Sequence, residues 1–161
     1  MGESKQAGET AQHEAIDRRR THMEKQTAEM LIEKAIGMLD YSYTPYSGFR
    51  VGAALLAKNG TVYGGCNIEN AAYTPTNCAE RTAFFKAVSE GVREFEAICI
   101  VGGKEGVLTE YTAPCGVCRQ VMMEFCDPKT FRIILAVSKT QYEVFTLEEL
   151  LPRGFGPGNL E

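Results

Sequence analysis

The chain has 161 residues and a formal net charge of −4, with 17 lysines and arginines against 21 aspartates and glutamates. This length is typical of a single domain with a hydrophobic core of its own. The negative charge disfavours a nucleic-acid partner, because proteins that bind a phosphate backbone concentrate lysine and arginine. No apolar run is long enough to span a bilayer. We therefore expect a small-molecule substrate, and neither nucleic acid nor membrane as a partner.

The beginning of the chain differs in composition from the rest. Residues 1–25 are polar and of mixed charge, and they lack the periodic apolar residues of a buried helix. We expect residues 1–25 to form a disordered extension and residues 26–161 to form the domain. No secretory signal precedes the six cysteines. We therefore expect a cytoplasmic protein whose cysteines stay reduced or bind metal.

The spacing of apolar residues predicts the first half of the fold. A helix with one buried face is predicted from about residue 27 onward. Its apolar residues are Met30, Leu31, Ala35, Ile36 and Leu39. Asn59 and Gly60 form the strongest short signal of a β-hairpin, so residues 51–58 and 61–66 are predicted to pair antiparallel. A polar loop is expected from residue 67 to 77.

The second half of the chain alternates between helical and strand patterns. Helices are predicted at about residues 78–90 and 115–125, and a short one at 147–151. Strands are predicted at residues 95–102, 131–137 and 142–146. A hairpin followed by alternating helices and strands indicates an α/β fold. We expect a three-layer α/β/α arrangement with a mixed sheet of about five strands.

Two short segments carry candidate metal ligands. Cys78 lies two residues before Glu80, and Cys115 and Cys118 form a Cys-x-x-Cys pair. Catalytic zinc typically has three protein ligands and one open position. Both segments lie at predicted helix starts, where the positive end of the helix dipole stabilises thiolates. A purely structural zinc site, closed by a fourth ligand, is the alternative. The remaining cysteines are Cys66, Cys99 and Cys126.

Cys-x-Glu followed by Pro-Cys-x-x-Cys is the three-cysteine form of the zinc-deaminase signature. Four segments resemble, in this order, consecutive motifs of the cytidine deaminases of pyrimidine salvage. They are residues 49–54 (FRVGAA), 65–73 (GCNIENAAY), 78–83 (CAERTA) and 114–120 (PCGVCRQ). The resemblance extends from about residue 31 to 155 and implies a cytidine deaminase-like fold. It also implies zinc-dependent hydrolytic deamination of free cytidine and 2′-deoxycytidine, with uridine, 2′-deoxyuridine and ammonia as products.

The resemblance implies a role for each residue around the metal. One zinc ion per chain is expected to be held by Cys78, Cys115 and Cys118. Glu80 is expected to accept a proton from the zinc-activated water, pass it to N3 of cytosine and protonate the departing amino group. Arg81 is expected near the ligand sulfurs. The alternative for Glu80 is an ordinary solvated glutamate at a helix start, and the alternative for Arg81 is an ordinary surface arginine.

Other residues match the substrate-binding positions of the family. Asn67 and Glu69 are expected on one face of an extended segment, and the resemblance assigns them to the ribose hydroxyls; a polar turn is the alternative. Phe49 resembles the aromatic residue that packs on the pyrimidine, with a core phenylalanine as the alternative. The backbone N–H of Ala79 resembles a donor to the base.

The resemblance also implies an assembly. In tetrameric members of the family a C-terminal phenylalanine enters the pocket of a neighbouring subunit, and Phe155 is similar to it. The alternative is an aromatic side chain that folds back on its own domain. Tyr46, Ala71 and Tyr73 match positions of sites shared between subunits. We therefore expect a homotetramer with composite active sites.

Three other functions share parts of this pattern. A deaminase of a cytosine-containing antibiotic nucleoside has the same metal motifs, but the intact segment 67–70 favours an unmodified ribose. A polynucleotide cytosine deaminase needs a basic channel and stacking aromatic residues, which the negative charge disfavours. A non-catalytic module stabilised by zinc is the third alternative, and an activity assay with nucleosides distinguishes it from the enzymes.

Overall fold

The computed structural model describes residues 23–161, so the predictions for residues 1–22 lie outside the described residues. The helices are α1 (Lys25–Met38), α2 (Ala79–Ser89), α3 (Gly116–Phe125) and α4 (Leu147–Leu150). The strands are β1 (Phe49–Ala57), β2 (Val62–Cys66), β3 (Phe95–Lys104), β4 (Arg132–Ala136) and β5 (Tyr142–Thr146). Short 3₁₀ helices follow α1 at Leu39–Tyr41 and close the chain at Pro157–Asn159.

The strands form one mixed sheet in the order β2-β1-β3-β4-β5. Strand β1 pairs antiparallel with both β2 and β3, β3 pairs parallel with β4, and β4 pairs antiparallel with β5. Strands β2, β3 and β4 therefore run in the same direction, and their carboxyl ends meet at one edge of the sheet. Helices α2 and α3 begin after β2 and β3, so both helix N-termini lie at this edge, where α/β proteins commonly bind ligands.

Successive side chains of β1 point to opposite faces of the sheet and belong to two hydrophobic layers. Ala53 and Leu55 pack with α2, α3 and α4, whereas Ala54 and Leu56 pack with α1 on the opposite face. Phe84 of α2 is fully buried in the first layer, with its ring centroid 4.9 Å from that of Phe95 in an edge-to-face contact. Helices thus cover both faces of the sheet, and the predicted three-layer α/β/α fold with five strands is confirmed.

The predicted element boundaries differ from the observed ones by a few residues. Helix α1 begins at Lys25, two positions before the predicted start, and Met30 on its predicted buried face is 44% exposed. Ala28 and Ile32 are buried instead, because the contact with the sheet is rotated relative to the face inferred from sequence. Strand β3 continues two residues beyond its predicted end, since β1 still pairs with it as far as Lys104.

Helix α2 approaches the sheet closely at Gly65 of β2. A Cβ atom at this position would overlap the carbonyl oxygen of Ala79 and lie 2.7 Å from the backbone nitrogen of Ala83. Glycine is therefore required by the close approach of two backbones rather than by an unusual backbone angle. This contact fixes the position of the first turn of α2 above β2.

We predict that Gly65→Ala lowers the free energy of unfolding by about 1–3 kcal/mol, the usual cost of overpacking. Chemical denaturation of the purified protein measures this change. Gly37→Ala in α1 is the matched control, because a Cβ atom there has no neighbour within 4 Å. The control is expected to be as stable as the parent, or more stable by up to about 1 kcal/mol. Equal stability of Gly65→Ala and the parent would contradict the close contact.

Candidate active site

Three thiols converge where α2 and α3 begin. Cys78 is the N-cap residue of α2, Cys115 is the N-cap residue of α3, and Cys118 lies in the first turn of α3. Their sulfur atoms all lie within 4.8 Å of one another. The Cys78 and Cys115 sulfurs are 3.8 Å apart, and those of Cys115 and Cys118 are 3.4 Å apart. The structure therefore brings together the three cysteines predicted as metal ligands.

This donor set fits a zinc ion. Sulfurs bound tetrahedrally to zinc at about 2.3 Å stand about 3.8 Å from one another, close to the observed separations. None of the other cysteines in the described residues joins the cluster: Cys66 donates its S–H to the Tyr41 carbonyl, and Cys99 is buried in the sheet. Three thiolates without a fourth are the ligand number of a catalytic zinc site. The cluster fits one zinc ion per chain.

The surroundings of the cluster favour the ionised form of one thiol, Cys78. Hydrogen bonds from the thiol of Cys118 lower the pKa of Cys78 to about 5, with Arg81 and Cys115 contributing and burial opposing. The pKa of Cys118 is raised, because its thiol donates to Cys78 and is buried near Glu80. Nη2 of Arg81 lies 3.4 Å from the Cys78 sulfur. The predicted position of Arg81 beside the ligand sulfurs is thus observed, and its positive charge offsets the thiolates.

A second arginine holds the Cys-x-x-Cys segment, and no sequence pattern indicated this role. Arg119 donates through Nε to the Pro114 carbonyl at 2.7 Å and through Nη1 to the Leu150 carbonyl at 2.5 Å. The residue before Cys115 is thereby tied to the end of α4. This pair of hydrogen bonds fixes the loop that precedes α3.

Glu80 lies in the first turn of α2 and is only 4% exposed. Burial raises the pKa of its carboxyl group to about 7. The positive charge of Arg81 and the Glu80 backbone N–H oppose this shift but do not cancel it. A carboxyl group with a pKa near the working pH can both accept and donate a proton, which general acid–base catalysis requires. Glu80 is therefore not a solvated glutamate that merely favours the helix dipole.

A cleft connects this site with the surface. Its inner part has a volume of about 200 Å³ and includes Cys78, Ala79, Glu80 and Cys115 in its lining. Its outer part, about 570 Å³, includes Phe49 and Glu69. Asn67 and Thr76 line both parts, so the two parts adjoin. The cleft has the dimensions of a small organic ligand, with the thiols and the buried carboxyl group at its inner end.

The predicted sugar-binding residues lie in the outer part of the cleft, and both side chains are held in place. The Asn67 amide accepts a hydrogen bond from Val51 N at 2.9 Å and donates to the Phe49 carbonyl at 2.8 Å. The Glu69 carboxylate accepts hydrogen bonds from Ser47. An amide and a carboxylate each have further hydrogen-bonding capacity, so both retain sites for a ligand.

The structure separates the remaining candidates into two groups. Phe49 is 40% exposed and lines the cleft, so it is not a core residue. Tyr46 and Tyr73 line the same outer part, with ring centroids 6.4 Å apart. Ala71 is exposed, and neither part of the cleft includes it in its lining. Phe155 is 58% exposed and is also absent from the lining of both parts of the cleft.

Several cleft residues could not be identified from the sequence. Ser47, Val51, Thr76, Asn77 and Thr112 line the cleft. Thr76 and Asn77 directly precede Cys78, and Thr112 lies shortly before Cys115. Their short separation in sequence from the ligand cysteines was the available signal. It did not identify them, because no regular spacing of polar loop residues indicates a contact with substrate.

Comparisons with known proteins agree with this geometry. The family model for the cytidine and deoxycytidylate deaminase zinc-binding region matches residues 25–134. A protein named cytidine deaminase from Sporosarcina psychrophila is 51% identical over 132 residues, covering 82% of this chain and 93% of that protein. A probable cytidine deaminase from Dictyostelium discoideum is 37% identical, covering 86% of this chain and 90% of that protein.

Solved structures give the same result. The crystal structure of cytidine deaminase from Burkholderia pseudomallei has 45% sequence identity and a TM-score of 0.71, and the match covers 78% of this chain and 97% of that one. The fold and the site thus define an α/β protein with a three-cysteine zinc site. The chain belongs to the cytidine and deoxycytidylate deaminase zinc-binding family.

Within the described residues, no helix combines the length and apolar character that crossing a membrane requires.

We predict that alanine at Cys78, Cys115 or Cys118 lowers the zinc content well below one ion per chain, because each change removes one of three ligands. Metal analysis by mass spectrometry after dialysis measures the stoichiometry. Cys99→Ala is the control, since this thiol is buried away from the cluster and burial raises its pKa. Loss of zinc from the control alone would show that the ligands are misassigned.

Proposed function

We propose that this protein catalyses the hydrolytic deamination of free cytidine and 2′-deoxycytidine to uridine and 2′-deoxyuridine, with release of ammonia. The observation that carries the proposal is the position of Glu80. Its buried carboxyl group lies beside three convergent thiols at the inner end of a cleft of nucleoside size. In the cell this activity belongs to pyrimidine salvage. The cytoplasm is the proposed compartment, because none of the six cysteines, all within the described residues, forms a disulfide.

The chemistry requires a nucleophile and a proton carrier. Cys78, Cys115 and Cys118 would hold the zinc ion, which would supply the nucleophile by making water acidic enough to react near neutral pH. Glu80 accepts one proton from this water through a carboxylate oxygen and delivers it to N3 of the cytosine ring. It then accepts the proton of the hydroxyl group now bonded to C4 and passes it to the departing amino group, so that the C4 carbonyl forms and ammonia leaves. Its burial supports this role, since an elevated pKa lets one carboxyl group act as both base and acid.

The rest of the cleft orients the nucleoside. Ala79 is the first residue of α2, and N–H groups in the first turn of a helix have no acceptor within the helix. We assign the Ala79 N–H to the base, Phe49 to packing on the pyrimidine, and Asn67 with Glu69 to the sugar hydroxyls. Ala79 lines the inner part of the cleft, Phe49 and Glu69 line the outer part, and Asn67 lines both.

The charge of the cleft favours a nucleoside over substrates that carry phosphate. Glu69 lines the outer part, and neither part of the cleft has lysine or arginine in its lining. A carboxylate at this position repels the phosphate of a nucleotide or polynucleotide. An antibiotic nucleoside with a cytosine base remains the second candidate, because it presents the same reacting group without added negative charge.

The active site is proposed to be composite, within a homotetramer. Tyr46, Tyr73 and Phe155 are 55%, 76% and 58% exposed in the single chain. Large exposed aromatic side chains are typical of surfaces that another subunit covers. We assign Phe155 to the cleft of a neighbouring subunit, and Tyr46, Ala71 and Tyr73 to the shared boundary between subunits.

We predict that Glu80→Gln binds zinc and folds normally but loses about 10²–10⁴-fold in kcat, the usual contribution of general acid–base catalysis. The amide has the same shape as the carboxyl group but cannot accept and return the proton. Loss of the amino chromophore should be followed with cytidine, 2′-deoxycytidine, cytidine monophosphate and a short single-stranded oligonucleotide. Turnover by Glu80→Gln near the parent rate, or a preference for the phosphorylated substrates, would refute the proposal.

We predict that Phe155→Ala weakens cytidine binding about ten- to a hundredfold while zinc content is retained, because burial of an aromatic ring contributes roughly 1.5–3 kcal/mol. The hydrogen bond from Gln120 to residue 155 is retained, since it involves the backbone carbonyl. Leu160→Ala, an exposed apolar residue of the same segment, is the control.

Co-expression of Phe155→Ala with Glu80→Gln chains tests whether the site is shared. In hybrid assemblies a chain with intact Glu80 can receive Phe155 from its neighbour. The KM for cytidine turnover, to which only chains with intact Glu80 contribute, is then expected to recover in part. If hybrids form but their KM for cytidine is no lower than that of Phe155→Ala alone, Phe155 acts within its own subunit and the composite-site proposal is wrong.

A further inference from the structure

The Glu69 carboxylate is held by one residue that lies 22 positions away in the chain. Ser47 Oγ donates to Oε1 of Glu69 at 2.7 Å, and the Ser47 N–H lies 3.2 and 3.1 Å from the two carboxylate oxygens. Ser47 therefore contacts both oxygens with its two donors. These contacts lie in the outer part of the cleft, which both residues line.

Ser47 is itself fixed by its neighbours. Its Oγ accepts a hydrogen bond from Phe49 N at 3.0 Å, and its carbonyl accepts one from Lys104 Nζ at the end of β3. Gly48, the next residue, has a φ of +63° and accepts a hydrogen bond from Glu105 N at 2.7 Å. The loop that carries Ser47 is thus attached to the end of the sheet, and its position is inherited from β1 and β3.

This arrangement has a consequence for binding. An exposed glutamate side chain samples many rotamers, and a ligand that needs one of them must order the side chain at an entropic cost. Hydrogen bonds from Ser47 restrict Glu69 before any ligand arrives, and such preorganisation increases affinity. A carboxylate has more acceptor positions than the two Ser47 donors occupy. Glu69 can therefore accept hydrogen bonds from a ligand without leaving Ser47.

We propose that Ser47 is a positioning residue that fixes the Glu69 carboxylate for recognition of the sugar hydroxyls. The inference rests on the proposed assignment of Glu69 to the sugar and deepens it. Ser47 lines the outer part of the cleft but not the inner part with Glu80. It therefore acts on affinity for hydroxyl-bearing sugars and not on proton transfer at the base.

The test compares cytidine with 2′,3′-dideoxycytidine, which has the same base but lacks both ring hydroxyls of the sugar. The measured quantity is kcat/KM for cytidine divided by kcat/KM for 2′,3′-dideoxycytidine. Ser47→Ala is expected to lower this ratio about tenfold, the effect of losing one hydrogen bond to a charged group. The change should appear in KM for cytidine, with kcat and zinc content retained. Ser47→Thr keeps a hydroxyl group and should restore most of the ratio, whereas Ser138→Ala, in a turn before β5, should leave it unchanged.

Glu69→Ala and the double variant complete the experiment. The double variant is expected to have the same ratio as Glu69→Ala alone, because Ser47 acts through Glu69. If Glu69→Ala lowers the ratio and Ser47→Ala does not, or if the two effects add, the role of Ser47 is refuted while the sugar assignment stands. If Glu69→Ala leaves the ratio unchanged, the sugar assignment fails, and the role of Ser47 fails with it.

Discussion

The convergence of two helix N-termini at one edge of the sheet is the constraint on which the site depends. Strands β2 and β3 run in the same direction, so α2 and α3 start side by side with Cys78 and Cys115 at their N-caps. Gly65 allows α2 to approach β2 closely enough for this meeting. The antiparallel strand β1 begins at the same edge, opposite the end of β3, and thereby brings Phe49 and the Ser47 loop to the cleft.

Charge balance is the second feature that links the fold with the chemistry. Three thiolates give zinc a net negative environment, which weakens its effect on a bound water molecule. The starts of two helices and the guanidinium group of Arg81 offset this charge. Glu80 is buried beside the cluster, and its pKa is raised for that reason. The same helix start thus supplies a thiolate ligand, a compensating cation and a buried carboxyl group.

Local signals in the sequence predicted much of this structure. Asn59 and Gly60 located the hairpin, helix patterns and start signals located the two helix starts, and the spacing of Cys78, Glu80, Cys115 and Cys118 located the site. These inferences use motifs whose residues are close together in the chain, and the zinc-deaminase signature joins the two cysteine motifs across 37 positions. The match with the family's motifs extended them to Asn67 and Glu69, which the structure places in the same cleft.

Contacts between distant residues that no motif specifies could not be predicted. The hydrogen bonds from Ser47 to Glu69 and from Arg119 to the Leu150 carbonyl join segments 22 and 31 positions apart, and no residue pattern specifies such pairs. The buried face of α1 was predicted with Met30 inside, because helical spacing alone does not fix how a helix is rotated against a sheet. The assembly of subunits could not be derived from residue patterns either, because it depends on surfaces that are exposed in a single chain.

The ligand set of the metal is the central claim, and X-ray absorption spectroscopy at the zinc edge tests it most directly. The purified protein with one zinc per chain should show three sulfur neighbours at about 2.3 Å and one oxygen or nitrogen neighbour at about 2.0 Å. That result means three thiolate ligands and one position open to water. Four sulfur neighbours would mean a closed structural site, and would contradict the account of Glu80 acting beside a catalytic metal.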